Sequence, residues 1–288
     1  MSNVVTPSKF QQAKIEKNLT VSQRVAEFVG GFSLQDVPKE IIALAKFHVL
    51  DSFGIALASS TKDYGHKAAS AGLDLGGEGD YPVVGLAHRL PLRDAVMVNG
   101  VLVHGLDFDD THTTGVIHIS GSTVPAAFIL AMANAKTGYE ALEAYLVGVE
   151  TGSRLAKAAA GGIHANGFHT TGIIGAYGCA MVAGKLYDLT VDQLTQAQGL
   201  VASFGGATRA YHSNGAWAKR MHTGIAAVNG INAASWARHG FTGPESVYEY
   251  EQGLFGCYAH GQKVDLDAVT RGFGDAWEIS NVAYKPYP

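Results

Sequence analysis

The chain has 288 residues, 47% hydrophobic and 16% charged, and its 21 basic and 25 acidic side chains leave a net charge of −4. An average soluble domain is roughly a quarter charged, so this composition excludes a disordered or solvating chain. The acidic balance, with no basic run longer than a residue pair, gives no electrostatic reason to bind nucleic acid. A chain of this length buries roughly three quarters of its unfolded surface and needs no disulfide or metal to hold it together. Glycine is the outlier: 36 residues spread through apolar stretches, the pattern of closely approaching backbones. Cys179 and Cys257 stand in apolar surroundings and read as two buried thiols in a reducing compartment.

Residues 1–19 lack periodicity, a signal-peptide core and any arginine. They read as an N-terminal arm of a cytoplasmic protein. Thr20 and Gln23 have capping-box spacing ahead of Val25 and Phe28. A second helix opens near Asp36 with Pro38 in its first turn, and carries Ile41, Leu44, Ala45, Val49, Phe53 and Leu57 at helical spacing. Residues 81–86 are strand-like, and Pro91 starts a helix that ends near Leu106. After the loop 107–121, Ser122 and Pro125 open an apolar helix closed by Gly138. Thr137/Glu140 and Thr190/Gln193 repeat the capping signature.

A glycine-rich apolar stretch, 168–184, holds four glycines and stops at Lys185. It falls short of the roughly 20 apolar residues of a membrane span and reads as a buried core helix. A long helix over 217–238 ends at Gly240, Thr242-Gly243-Pro244-Glu245 restarts a shorter one, and residues 277–288 alternate like a strand. The fold class is mainly α.

Charges are scarce, so their gatherings carry information. The densest is Asp107-Phe108-Asp109-Asp110-Thr111-His112, followed by His118. Carboxylates and imidazoles between two apolar helices allow a capped surface loop, a metal site or an acid–base site. The second is Phe168-His169-Thr170-Thr171-Gly172 at a helix start, where free N–H groups suit an anion. The third is Lys219-Arg220-Met221-His222, and the fourth is Lys285 in Tyr284-Lys285-Pro286-Tyr287-Pro288. There is no P-loop, dinucleotide fingerprint or nucleophile elbow, which leaves proton transfer as the chemistry on offer.

Together these motifs resemble the MmgE/PrpD family, which contains 2-methylcitrate dehydratase, cis-aconitate decarboxylase and iminodisuccinate epimerase. The similarity rests on His104-Gly105-Leu106-Asp107-Phe108-Asp109-Asp110-Thr111-His112, His118-x-Ser120-Gly121, Gly167-Phe168-His169, Lys219-x-x-His222-x-Gly224, Gly240-Phe241-Thr242-Gly243-Pro244 and the terminal Lys-Pro-Tyr-Pro, in the family's order. It implies an all-α domain over 20–272, with 273–288 beginning an α+β lid whose remainder this sequence lacks. It also implies a homodimer, a di- or tricarboxylate substrate, and no metal or organic cofactor.

Carried over, the family's site falls on Asp107, Thr111, His118, His169, Lys219 and Lys285, with His222 beside them. His118 is the expected proton carrier, oriented by Asp107. His169 is a second acid/base, and Lys219 and Lys285 clamp substrate carboxylates. One departure is Ile119, where the family has proline. The expected activity is a cofactor-independent lyase. The alternatives are an epimerase, a catalytically silent paralogue acting as an assembly partner, and a metal-dependent hydrolase on the Asp107–His118 loop.

Overall fold

Three helices begin where Thr-x-x-Gln/Glu stands in the sequence. At Thr20, Thr137 and Thr190 the hydroxyl accepts from the N3 backbone N–H, while the N3 side chain returns to the cap's own N–H. Each box satisfies two of the donors that a helix start leaves unpaired. The structure, a computed structural model, describes residues 19–286. Of the arm at 1–19, all but Leu19 lies outside the described residues.

The helices are α1 (Val21–Gly31), α2 (Lys39–Ser60), α3 (Asp63–Gly76), α4 (Leu92–His104), α5 (Ser120–Ala133), α6 (Gly138–Ala159), α7 (Gly162–Ala165), α8 (Thr170–Leu186), α9 (Val191–Val201), α10 (Ala218–Arg238), α11 (Leu254–Tyr258) and α12 (Asp267–Thr270). Two antiparallel two-residue ladders complete the fold. β1 (Tyr81–Pro82) pairs with β2 (Arg89–Leu90), and β3 (Thr111–His112) pairs with β4 (Val282–Ala283). The domain is mainly α.

Helix α8 is the axis of the core. Every residue of it except Lys185 is buried, and it packs against α5, α6, α9 and α10. Glycines set the spacing. A Cβ on Gly230 of α10 would stand 2.5 Å from the Ala176 carbonyl oxygen of α8, and one on Gly100 of α4 would stand 2.5 Å from Gly224 Cα of α10. The glycine excess therefore buys backbone-to-backbone helix contact at a propensity cost of about 1 kcal/mol per residue.

Several expectations change. Pro38 is the N-cap of α2, and Asp36 belongs to a preceding 3-10 turn. Helix α3 was not expected; it starts without a side-chain cap and holds Gly65, Gly72 and Gly76, so its local signal is weak. Helix α5 opens at Ser120, with Pro125 inside it, because the Asp110 carboxylate accepts from Ser120 N at 3.3 Å. Residues 242–245 form no helix; Gly243 N is held by Gln196 Oε1 at 2.7 Å. The helical turn comes later, at α11. Residues 277–288 do not form one strand: a 3-10 turn, Glu278–Asn281, precedes β4. Its first donors, Glu278 N and Ile279 N, are taken by Glu150, each at 3.1 Å. Cys179 is buried as expected, but Cys257 is exposed.

Among the described residues, α2 is the one helix long and apolar enough to cross a membrane, and a third of its most apolar window is buried in the fold. Its inward side carries His48, Ser52 and Ser59 besides Ile41 and Ile55.

Residues 265–286 bring the chain back across α6. Buried Arg154 donates to the carbonyls of Arg271 (2.7 Å) and Ala276 (2.5 Å) and pairs with Glu150 at 3.2 Å. Glu278 bonds His112 Nε2 at 3.0 Å and Lys157 at 2.6 Å. With Val282 and Ala283 laid on β3, Lys285 is delivered to the loop that follows α4.

Candidate active site

Helix α4 ends at His104, and Asp107 turns the chain with φ 57°. That left-handed conformation is one that aspartate tolerates better than most residues. Lys219 Nζ lies 2.5 Å from Asp107 Oδ2, and Lys285 Nζ lies 3.0 Å from Oδ1. Burial alone raises the Asp107 carboxyl, but the Lys219 hydrogen bond and charge, with help from His104 and Lys285, hold it well below the usual carboxylate range.

His118 faces the same carboxylate, with Nε2 3.7 Å from Asp107 Oδ1. That is an ion-pair distance and not a hydrogen bond. The ring is oriented from its other side. Nδ1 lies 3.1 Å from the Asp110 carbonyl, 3.2 Å from the Asp109 carbonyl and 3.1 Å from Thr111 Oγ1. Two carbonyls require a donor, so Nδ1 carries the proton and Nε2 keeps its lone pair. The His118 backbone N–H is fixed by Thr171 Oγ1 at 3.0 Å, from the first turn of α8. Burial first, then the charges of His104 and Lys219, push the imidazole below its ordinary value, against the pull of Asp109 and Asp107.

Behind His118 lies a second layer. His104 Nδ1 sits 2.8 Å from both oxygens of Asp109, and neither side chain is exposed. His104 packs against His118 with ring centroids 4.9 Å apart and stacks on His169 at 5.6 Å. His169 Nδ1 meets His222 Nδ1 at 3.0 Å, so one nitrogen donates and the other accepts. Burial lowers all these imidazoles, His104 to about 3 and His222 to about 4. The cluster is therefore held neutral. Further back, Asp110 accepts from Ser120 Oγ at 2.5 Å and lies 2.9 Å from His48 Nδ1, and Ser120 in turn meets Tyr145.

The chain matches the MmgE/PrpD N-terminal domain over residues 23–267. It belongs to the MmgE/PrpD family. It is 26% identical to cis-aconitate decarboxylase of Aspergillus terreus over 289 residues, covering 96% of this chain and 59% of that protein. To cis-aconitate decarboxylase of Homo sapiens it is 28% identical over 278 residues, 93% of this chain and 56% of the other. A cis-aconitate decarboxylase-like protein, oryM, of Aspergillus oryzae is 27% identical over 278 residues, 92% and 58% of the two chains. The chain thus spans under three fifths of these relatives' length.

In this MmgE/PrpD chain all seven site residues expected from the sequence, Asp107, Thr111, His118, His169, Lys219, His222 and Lys285, meet in one cluster. Lys219 and Lys285 both lie on Asp107, and what turns His118 is Asp109, Asp110 and Thr111 more than Asp107. Sequence reading placed Asp109 and Asp110 in the polar loop and His104 in the family motif without giving any of them a role, and did not single out His48. A signal existed for His104, a polar residue directly after the apolar Val101-Leu102-Val103 and five positions before an aspartate.

One donor atom each from His104, Asp107, Asp109 and His118 falls within 4.8 Å of the others. The chemistry of the set argues against a divalent cation there. Each Asp107 oxygen already has an ammonium, Asp109 is paired with His104, and His118 Nδ1 points at carbonyls. A cation taking these atoms would have to displace those contacts.

Proposed function

We propose that this domain carries the proton-transfer centre of a cofactor-independent lyase acting on a di- or tricarboxylate, of the cis-aconitate decarboxylase or 2-methylcitrate dehydratase kind. One observation carries the reading: two ammonium groups, from segments 112 and 178 residues away, converge on Asp107 beside an imidazole nitrogen with a free lone pair. An ammonium has three donors, so each lysine keeps hydrogen-bonding capacity for a ligand carboxylate while Asp107 fixes its position. The similarity to cis-aconitate decarboxylases supports the same substrate class.

In this reading His118 gives or takes the proton at the reacting carbon. Thr111 steadies the ring, Lys219 and Lys285 hold substrate carboxylates, and His169 with His222 forms a second acid/base or carboxylate-binding pair. A second imidazole 6.2 Å from the first, His169 from His118, is also what an epimerase needs to exchange a proton on two faces of one carbon.

The test follows cis-aconitate and 2-methylcitrate by NMR in D2O with the purified protein. His118→Gln should lower turnover about 10²–10⁴-fold with little change in KM, since glutamine keeps size and polarity but shuttles no proton. Lys219→Met should weaken binding as well. If neither compound loses carboxylate, loses water or gains deuterium, the lyase reading is wrong. If His169→Gln abolishes turnover while His118→Gln retains it, the two roles are exchanged.

A further inference from the structure

Three carboxylates surround His118, and they differ in what neutralises them. Asp107 is matched by Lys219 and Lys285. Asp110 points away, onto Ser120 and His48. Among the described residues no lysine or arginine lies on Asp109: its hydrogen-bond partner is His104 Nδ1, at 2.8 Å to both oxygens. It also stands 3.7 Å from His118 Nδ1. Since His104 is itself held neutral by burial, Asp109 is the carboxylate facing His118 whose charge is left unmatched.

We propose that Asp109, held in place by His104, is the counter-charge for a protonated His118, a positioning residue that sets how readily that imidazole takes a proton. The inference rests on the reading of His118 as the proton carrier. The step is a single proton transfer between substrate carbon and His118 Nε2. In dehydration or epimerisation the C–H bond breaks, its electron pair stays with the substrate and the proton bonds to Nε2, whereas in decarboxylation the C–C bond breaks, CO2 leaves, and the electron pair left on carbon takes the proton from the imidazolium. The new imidazolium is buried, where an unmatched charge is costly. Asp109, starting ionised, leaves the His118–Asp109 pair neutral with no other change in proton count. His104 fixes the carboxylate as a bound histidine's partner fixes its ring, by one directed hydrogen bond.

The groups facing Asp109 come from every element around it. They are Asp107, Asp110 and His118 from its own loop, His104 from α4 and Lys219 from α10, while Lys285 beyond β4 reaches Asp107. Burial pushes the Asp109 carboxyl up to about 7, with Asp107 and Asp110 adding to the rise and His118 and Lys219 opposing it. The ionised form is therefore favoured above neutral pH and is lost on the acid side, so the rate should share that acid limb.

The experiment pairs histidine 15N NMR titration with turnover of cis-aconitate, on the wild type, Asp109→Asn and His104→Gln. Asparagine still accepts from His104 but carries no charge. Asp109→Asn should lower the proton affinity of His118 at least about tenfold, lower kcat about 10²–10³-fold with KM within about threefold, and remove the acid limb near pH 7 from the rate profile. His104→Gln, which keeps Asp109 but loosens it, should move His118 in the same direction by a smaller factor. It serves as the deciding variant if Asp109→Asn does not fold. A His118 proton affinity within twofold of wild type in the folded variant overturns the proposal. Absence of turnover in the wild type counts against the lyase reading instead, and leaves the NMR titration to decide this one.

Discussion

Helix α8 and the loop from His104 to Ser120 lie against each other and are built on opposite plans. The helix is apolar on all sides and continuous in sequence, and small residues bring its neighbours to backbone contact. The loop is polar and irregular, and it is completed by groups from far away, Lys219 at 112 residues and Lys285 at 178. The single charged side chain of α8, Lys185, stands in the last turn and reaches out to the Phe32 carbonyl and Glu143. A site of the second kind exists only while several distant segments stay docked, so what holds those segments is as much part of the site as the side chains that face it.

That contrast breaks most sharply at Arg154, the buried guanidinium that ties residues 271–276 to α6. Arg154→Met leaves Glu150 buried without its cation, a change that costs about 3–5 kcal/mol in comparable pairs. Hydrogen exchange should rise over residues 271–285 while α8 stays protected. Equal loss of protection in both regions would mean that the C-terminal segment and the core are one cooperative unit.

Acid should separate the two regions next. His104, His118, His169 and His222 are all held below their ordinary range by burial. The unfolded chain protonates these groups near pH 6.5 and the folded chain does not, so they cost stability as pH falls below that value. Asp109, raised to about 7, acts in the opposite sense, because below that pH the folded form is protonated while the unfolded form still is not. Four groups oppose one, each with a limiting slope of about 1.4 kcal/mol per pH unit. Thermal denaturation between pH 7.5 and 5 should show Tm falling on acidification; a rise would mean that the histidines are not the dominant titration.

The smallest effect on the fold is expected on the outside of α2. Phe47, Leu50 and Leu57 are 60%, 66% and 54% exposed, and with Gly54 between them they line one helical stripe. We propose that a second copy of the chain covers this stripe. Phe47→Glu with Leu50→Glu should leave Tm nearly unchanged and weaken self-association in sedimentation by at least about tenfold. Unchanged association would place the interface elsewhere.

What the sequence made legible follows the same division. The capping boxes at Thr20, Thr137 and Thr190 and the uncharged run of α8 are local, and each was readable where it stands. Helix α3 was not, because glycines and an uncapped start leave it to tertiary contacts. In the site, Asp107, Thr111, His118, His169, Lys219 and Lys285 were named through their likeness to a family. No spacing rule joins Lys285 to Asp107. The pairing of Asp109 with His104 and of Asp110 with Ser120 and His48 was not legible, since two adjacent aspartates of one type turn to opposite sides only once the loop is folded.

The hydrogen bond from Lys285 to Asp107 has a consequence in time. A ribosome adding roughly 5–20 residues per second takes about 9–36 s to travel the 178 residues between them. Lys219 is made after the first 112 of those residues, and from then on the nascent chain can assemble α4, α8 and α10 and bring Lys219 to Asp107 while the second ammonium has not been made. The centre is completed by the arrival of one late residue, so the growing polypeptide is exposed to its surroundings as a folding body well before it presents a finished charge cluster to any metabolite.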